Sequence, residues 1–372
     1  MQCVQALGFE VFADEGAGTV TVVGDAEKIP KQKAKIYVGS AGTAARFLTA
    51  LLGLSEGEYF LDASEQMKKR PMAPLLSGLR ELGAEIICGG QEGHFPFTVK
   101  SAGIKKREIS VNIDDSSQFL SALLISCCRG GADFTIHVKG SHGMAYIEMT
   151  SRMMGEFVVR ALCIKENGEI SYFVPGGQSY QGRNYAVEPD VSAACYFYAM
   201  AMLLGIRIRV AGVKMDTVQG DIAFLQVLER MGGTVKETGE GIILAGPVGG
   251  RLRGVEADMH AFSDQALTLA ALAPFADTQT VITGIGHIRG QECDRIAAIC
   301  TELKRLGVFC EELADGVRID PARSCIHGGT VHTYDDHRVA MSFSLVGLRV
   351  PDVVIDNPDC CRKTFEDYFD VF

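Results

Sequence analysis

The feature that most constrains the fold is a sequence element that recurs five times, about every 75 residues. Each copy consists of an amphipathic helix that ends at a pivot residue, then a strand, a tight turn and a second strand. The pivots lie 74 or 75 residues apart, at Gly8, Gly83, Val158, Gly232 and Gly307. Glycine is the residue that best fits a left-handed helix C-cap. The repeat therefore predicts helix ends of one common geometry, and Val158 departs from it in residue type.

A second series of helices alternates with the first at nearly the same period. Its members are almost wholly apolar after their first turn, which predicts burial, and each is followed by a strand. They begin with residues that make good N-caps, namely Thr43, Ser116, Asp190, Ser263 and Asp335. One unit is predicted to run strand, helix, strand, helix, strand, strand. The predicted fold class is α+β, built from repeated βαβαββ units of roughly 75 residues around buried helices.

The polar helix starts also indicate what the protein binds. A helix N-terminus presents free N–H groups and a partial positive charge, which favour anions. Five such starts in register predict a local anion site, although the chain is acidic, with 36 Lys+Arg, 46 Asp+Glu and a net charge of -10. That balance argues against nucleic acid or an anionic membrane as the main partner.

The cysteines indicate neither a disulfide framework nor a metal site. There are 12 of them, but no Cys-x-x-Cys pair occurs, and the histidines lack zinc-ligand spacing. The N-terminal sequence does not have the pattern of a signal peptide, and no apolar run reaches the length of a membrane span. We therefore expect a cytoplasmic protein with reduced thiols, without a metal or cofactor.

Several polar motifs follow one another along the chain at the helix starts and in the loops. They are GSAGTAAR (39–46), SEQMKKRP (64–71), DDSSQF (114–119), FSDQALT (262–268), IRGQECDR (288–295), TYDDHRVAM (333–341) and CRKTFEDYF (361–369). Together and in this order they resemble the enolpyruvyl transferase family, over essentially the whole chain. The resemblance is closest to the branch that acts on shikimate 3-phosphate. It implies two domains of three similar units each, which we expect at 1–186, N-terminally incomplete, and 187–372.

The resemblance implies a specific activity in the shikimate pathway. The enolpyruvyl group of phosphoenolpyruvate passes to the 5-hydroxyl of shikimate 3-phosphate through a tetrahedral addition intermediate, and phosphate is released without a metal. The implied partners are these two small anions, and the implied state of a complete chain is a monomer. Because both substrates are anions, arginine and lysine side chains are needed to bind them.

The resemblance also assigns roles to individual residues. The implied phosphoenolpyruvate ligands are Gly42, Arg70, Gln118, Arg295, Arg338 and Lys363. The implied contacts to shikimate phosphate are Ser116, Ser117, Gln118, Tyr146, Asp264, His287 and Gln291. The implied catalytic residues are Asp264, which takes the proton of the 5-hydroxyl, and Glu292 with Lys363, which handle the methylene proton.

Some positions depart from the usual family pattern. Ser40 and Phe47 replace a frequent Asn and Pro, His287 and Gln291 stand where Asn and Lys are frequent, and Gly143 replaces a usual serine. We expect these changes to alter the affinity for shikimate phosphate and to leave the reaction type intact.

The family's Lys-Ser-x-x-x-Arg segment has no counterpart here, and by the repeat we expect roughly fifty residues of the family pattern to be absent at the N-terminus.

Two alternatives stay open at the level of sequence. The first is a truncated, weakly active or non-catalytic anion-binding remnant of the family, which the lack of that basic segment would explain. The second is the family branch that acts on UDP-N-acetylglucosamine. That branch usually has a cysteine five residues before the Arg-Pro of its mobile loop, where this chain has Glu65 before Arg70.

Overall fold

A computed structural model describes residues 1–24, 28–128 and 131–372. The chain forms two compact units, Met1–Asn184 and Tyr185–Phe372. Each unit has its own hydrophobic core, made of the buried helices and the inner faces of its sheets. Among the described residues no helix combines the length and the apolar character that crossing a membrane requires.

The elements of the first unit follow the predicted alternation of strands and helices. Its helices are α1 (Gln2–Ala6), α2 (Gly42–Gly53), α3 (Glu65–Lys68), α4 (Ala73–Glu81), α5 (Gln118–Cys127) and α6 (Met144–Glu156). Its strands are β1 (Glu10–Asp14), β2 (Thr19–Val23), β3 (Lys33–Tyr37), β4 (Gly57–Asp62), β5 (Glu85–Cys88), β6 (Phe97–Ser101), β7 (Glu108–Asn112), β8 (Phe134–Lys139), β9 (Leu162–Glu166) and β10 (Glu169–Val174).

Two four-stranded sheets in the described part of this unit share one topology. Their strand orders are β3-β4-β6-β5 and β7-β8-β10-β9. In each, the first two strands are parallel and the last two are antiparallel, because a helix connects the former and a hairpin loop connects the latter. The antiparallel pair β1-β2 corresponds to the last two strands of such a unit.

The second unit repeats this arrangement. Its helices are α7 (Val191–Leu204), α8 (Phe224–Arg230), α9 (Ala266–Leu272), α10 (Arg295–Arg305), α11 (His337–Ser344) and α12 (Tyr368–Val371). Its strands are β11 (Arg207–Ala211), β12 (Thr234–Thr238), β13 (Gly241–Ala245), β14 (Glu256–Asp258), β15 (Thr280–Thr283), β16 (Phe309–Leu313), β17 (Gly316–Asp320), β18 (Gly329–Val331) and β19 (Val353–Ile355).

The sheets of the second unit also follow the predicted order. The sheet β14-β15-β17-β16 has the full topology, β11-β13-β12 has its last three strands, and the parallel pair β18-β19 has its first two. The predicted α+β class with βαβαββ units is therefore confirmed.

All the pivot residues of the repeat adopt the left-handed conformation. Their φ angles are 91° at Gly8, 106° at Gly83, 110° at Gly232 and 76° at Gly307, and Val158 has a φ of 69°. A left-handed φ is a genuine outlier for a β-branched residue. The helix end therefore requires this geometry even where the side chain opposes it.

The second helix series is buried as predicted, but the prediction of its N-caps was only partly right. Asp190 caps α7 through its side chain. In α11 the capping side chain is that of Asp336, one residue after the expected Asp335. Helix α2 begins at Gly42, before Thr43, and the Thr43 hydroxyl accepts a hydrogen bond from the Gln118 side chain at 3.2 Å. A tertiary contact thus uses the side chain that local sequence assigned to a cap.

Candidate active site

In the first unit, two arginine side chains approach the start of α2 at Gly42. A Cβ atom on Gly42 would lie 2.9 Å from Nη1 of Arg70 and 3.0 Å from Nη1 of Arg46. Any side chain at this position would therefore displace a guanidinium group. The N-cap residue Ala41 offers no side chain to cap the helix. The helix N-terminus and the two guanidinium groups together form a site suited to an anion.

Arg46 is a functional candidate that sequence reasoning missed. Its side chain is 1% exposed, and its Nη1 donates to Oε1 of Gln118 at 2.8 Å. The guanidinium lies 5.1 Å from the ring centroid of Phe119. Because Nε2 of Gln118 donates to Thr43, both ends of that amide are fixed. The sequence could have indicated Arg46 by its spacing, since Arg46 follows Gly42 by four residues and therefore lies on the same helix face.

The predicted contacts to shikimate phosphate in this unit lie at the starts of α5 and α6. Ser116 Oγ accepts a hydrogen bond from the backbone N–H of Gln118 at 3.3 Å. A Cβ atom on Gly143 would lie 2.6 Å from Oγ of Ser117 and 3.4 Å from Cδ2 of Tyr146. Gly143 also has a left-handed φ of 66°. The glycine that replaces the usual serine is therefore required by the way Ser117 packs.

In the second unit, the Asp264 carboxylate lies between two arginines. Its Oδ2 accepts from Nη2 of Arg338 at 2.6 Å, and its Oδ1 accepts from Nη1 of Arg295 at 3.2 Å. Asp264 belongs to the short 3₁₀ helix His260–Gln265 that precedes α9. The three predicted residues therefore form one cluster, in which each carboxylate oxygen faces a guanidinium group.

Arg295 is the buried centre of this cluster. It is 1% exposed and makes five hydrogen bonds, which match the five N–H donors of a guanidinium. Asp336, which is fully buried, accepts two of them at 2.8 and 3.2 Å. The other acceptors are Asp264, Gln291 and Glu292. Sequence reasoning missed Asp336, although it lies in the TYDDHR motif beside Arg338.

The predicted proton-handling pair is also brought together. Nζ of Lys363 lies 2.6 Å from Oε1 of Glu292, and the second oxygen of Glu292 accepts from Arg295 at 3.0 Å. Lys363 ends the 3₁₀ helix Pro358–Lys363, and Glu292 precedes α10. Glu292 thus shares its charge between a lysine and an arginine.

The carboxyl groups near this cluster have opposite pKa shifts. Burial would raise the pKa of Asp264, but Arg338 and Arg295 outweigh it and hold the pKa below its ordinary value. Burial, together with the negative charge of Asp264, raises the pKa of Asp221 to about 6. Asp221 accepts hydrogen bonds from Ser192 and, at 3.0 Å, from Nε2 of Gln265. Asp264 is therefore ionised at neutral pH, whereas Asp221 retains its proton in mild acid.

The last predicted residues lie around Asp264. The Nε2 atom of His287 lies 2.7 Å from Oγ of Ser263, which adjoins Asp264 in sequence. The rings of His260 and His287 pack edge to face at 5.6 Å. Gln291 is a hydrogen-bond acceptor of Arg295. The predicted site residues thus form one group in each unit; the first contains Gly42, Arg70, Ser116, Ser117, Gln118 and Tyr146, and the second contains Asp264, His287, Gln291, Glu292, Arg295, Arg338 and Lys363.

No group of three or more His, Cys, Asp or Glu side chains within 1–24, 28–128 and 131–372 is arranged to hold a metal ion.

Comparison with known proteins identifies similar chains. The family model described as EPSP synthase (3-phosphoshikimate 1-carboxyvinyltransferase) matches residues 1–372. The 3-phosphoshikimate 1-carboxyvinyltransferase of Trichormus variabilis is 40% identical over 372 residues, which are 100% of this chain and 86% of that protein. The enzyme of the same name from Ralstonia pickettii is 40% identical over 379 residues, covering 99% of this chain and 87% of the relative.

Solved structures show the same fold. EPSP synthase from Acinetobacter baumannii matches with a TM-score of 0.79 and 24% identity, covering 100% of this chain and 85% of that one. The enolpyruvyl transferase NikO from Streptomyces tendae matches with a TM-score of 0.71 and 19% identity, covering 99% of this chain and 84% of that one.

Proposed function

The chain belongs to the EPSP synthase family, and we propose that it transfers the enolpyruvyl group of phosphoenolpyruvate to the 5-hydroxyl of shikimate 3-phosphate, with release of phosphate. The observation that carries the proposal is the ionised Asp264 between Arg338 and Arg295, beside the ion pair of Lys363 and Glu292. The family match favours this acceptor over UDP-N-acetylglucosamine. We further propose that the protein acts in the cytoplasm and that the complete protein is a monomer.

The reaction needs two proton-handling groups. In the addition step, the 5-oxygen bonds to C2 of phosphoenolpyruvate, the hydroxyl loses its proton, and the methylene carbon gains one. In the elimination step, the new methyl group loses a proton and the bond from C2 to the phosphate oxygen breaks. We assign Asp264 to the hydroxyl proton and Glu292 with Lys363 to the methylene and methyl protons.

The electrostatics of Asp264 suit a base that becomes stronger when substrate is bound. With both oxygens paired to arginines, its pKa is low and it is a weak base. Arg338 is 13% exposed, so an anionic substrate can share its positive charge. Sharing that charge would raise the pKa of Asp264 toward neutrality, where proton transfer is most effective. We therefore assign Arg338 to phosphoenolpyruvate.

Unlike Arg338, Arg295 is proposed mainly to hold other side chains in place. Its five donors are already bonded to protein side chains, two of them to Asp336. A substrate anion would have to displace Gln291, Asp264 or Glu292 to reach it. Removing one partner of such a buried network is costly, because the remaining charge stays unpaired. We propose that Arg295 orients the carboxylates and that its contact with phosphoenolpyruvate forms by exchange with one of them.

The first-unit group is assigned to anion binding. Gly42 and Arg70 are proposed for phosphoenolpyruvate, and Gln118, fixed by Arg46, for both substrates. The serines and the tyrosine at the starts of α5 and α6 are proposed for the phosphate of shikimate 3-phosphate: Ser116, Ser117 and Tyr146. In the second unit, His287 and Gln291 are proposed for the same ligand, with an affinity that differs from that of relatives carrying Asn and Lys there.

The test is phosphate release from phosphoenolpyruvate in the presence of shikimate 3-phosphate. Asp264→Asn should lower turnover by roughly 10²–10⁴-fold, since it removes a general base. The matched control is Glu311→Gln, because Glu311 also pairs with an arginine, Arg318 at 2.7 Å, on strands β16 and β17. The control should keep wild-type turnover. Equal turnover in Asp264→Asn and wild type would refute the assignment, and binding without any phosphate release would favour the non-catalytic alternative.

A further inference from the structure

The connection between β18 and α11 holds two successive non-glycine residues in the left-handed conformation. Their φ angles are 56° at Tyr334 and 54° at Asp335. Left-handed backbone is unfavourable for residues with a Cβ atom, and it persists only where surrounding contacts impose it. This turn immediately precedes Asp336 and Arg338, so its geometry decides where those two side chains lie.

A buried carboxylate holds one side of the turn. Glu302 is fully buried, and its Oε1 accepts from the Tyr334 hydroxyl at 2.7 Å. Its Oε2 accepts from the backbone N–H of His332 at 3.0 Å and from Nε of Arg305 at 3.1 Å. Glu302 lies on α10 seven residues after Arg295, which places both on one face of that helix.

The other side of the turn is held by residues that follow β19. Asp356 accepts from the backbone N–H and the hydroxyl of Thr333, both at 3.0 Å. Nδ2 of Asn357 donates to Oδ1 of Asp335 at 2.8 Å. The turn is therefore bonded on both sides, and the Glu302 side chain links it to the helix that carries Arg295.

Two hydrogen-bonded contacts thus link the turn and the start of α11 to α10. At the starts of the helices, Asp336 binds Arg295 and accepts from the Arg338 backbone N–H at 2.9 Å. Two turns further along α10, Glu302 binds Tyr334. A segment fixed at two separated points is more restricted than one fixed at a single point, and Arg338, two residues after Asp336, lies 2.6 Å from Asp264.

We propose that Tyr334 and Glu302 are positioning residues, whose hydrogen bond holds the left-handed turn that presents Arg338 to phosphoenolpyruvate. This inference rests on the proposed function. It predicts that loss of the tyrosine hydroxyl weakens the binding of phosphoenolpyruvate and leaves the binding of shikimate 3-phosphate nearly unchanged. If the contact only stabilised the fold, its loss would lower the stability of the protein and leave the ratio of the two KM values unchanged.

The first variant is Tyr334→Phe, which keeps the ring and removes the hydroxyl. We expect the KM for phosphoenolpyruvate to rise roughly tenfold or more, since a displacement of about 1 Å can cost up to about a hundredfold. The KM for shikimate 3-phosphate should change by less than about twofold. Tyr334→Gly relieves the backbone strain and also removes the contact. It should likewise raise the KM for phosphoenolpyruvate and leave the KM for shikimate 3-phosphate nearly unchanged.

Asp352→Gly is the matched control. Asp352 has a φ of 62°, so glycine relieves the same kind of strain in the connection that leads to β19. Its kinetic constants should equal those of the wild type. If Asp352→Gly reproduces the effect of Tyr334→Gly while Tyr334→Phe has no effect, strain relief explains the result and the positioning role is refuted.

A crystal structure of Tyr334→Phe makes the test independent of turnover. We expect Nη2 of Arg338 to move out of hydrogen-bond range of Asp264, from 2.6 Å in the wild-type chain. An unmoved Arg338 with an unchanged KM for phosphoenolpyruvate would overturn the proposal. If the wild-type protein releases no phosphate, the proposed function fails, and the position of Arg338 in the variant still decides whether the turn positions it.

Discussion

Replacing Asp221 by asparagine should change how the stability of the protein depends on pH. Asp221 is 4% exposed, and its Oδ1 has no hydrogen-bond partner among the described residues. Burial, aided by the negative charge of Asp264, raises its pKa from an ordinary 3.8 to about 6. Asparagine has nearly the same shape and can still accept from Ser192 and Gln265, but it does not ionise.

The size and sign of the effect follow from linkage. A raised pKa means that the folded protein holds this proton more tightly than the unfolded chain does. Folding stability is therefore lost as pH rises from about 4 through about 6, because the unfolded chain ionises first. A shift of about two pH units corresponds to roughly 3 kcal/mol, which is fully lost above about pH 7.

The assay is urea unfolding of wild type and Asp221→Asn between pH 4 and pH 8. The free energy of unfolding of the wild type, minus that of the variant, should fall by roughly 2.5 kcal/mol across this range, since a small part of the effect is already lost at pH 4. Titrating groups common to both proteins largely cancel in this difference. A difference that stays constant with pH would show that Asp221 does not titrate as described, and the reasoning would be refuted.

Two further predictions concern the site and the repeat. Arg338→Ala should weaken phosphoenolpyruvate binding by roughly 10- to 100-fold, which is the value of a charge-assisted hydrogen bond. The effect on the binding of shikimate 3-phosphate should be much smaller. Calorimetric titration that shows equal losses of affinity for both ligands would reject the assignment. Val158→Gly should stabilise the protein by about 0.5–1 kcal/mol, because relief of the left-handed strain at this 63%-exposed residue exceeds the entropy cost of glycine. Val158→Ala keeps a Cβ atom and should show no such gain in thermal unfolding.

The repeat explains why so much of the fold could be predicted. Pivot residues at a constant spacing require the same local geometry, and the apolar helix series requires burial, so strand order followed from two periodic patterns. The left-handed Val158 shows that spacing was a stronger signal than residue type. The caps were less predictable, because Thr43 serves a tertiary contact with Gln118 that local sequence does not contain.

The candidate site, like the fold, could be predicted from the sequence only in part. Motifs led to Asp264, Arg338 and the other predicted residues, which the structure groups together within each unit. The network around them could not be read from sequence, because it depends on which side chains meet across helices. The contacts of Arg295 with Asp336 and Asp264, and that of Asp221 with Gln265, join segments far apart in the chain.

The central claim is tested most directly by following the reaction with phosphorus NMR. The wild-type chain is mixed with phosphoenolpyruvate and shikimate 3-phosphate, and in parallel with phosphoenolpyruvate and UDP-N-acetylglucosamine. The account predicts that inorganic phosphate appears in equal amount with the carboxyvinyl ether of shikimate 3-phosphate, and only in the first mixture. No phosphate in the first mixture, or phosphate that forms without an acceptor or with the nucleotide sugar, would contradict it.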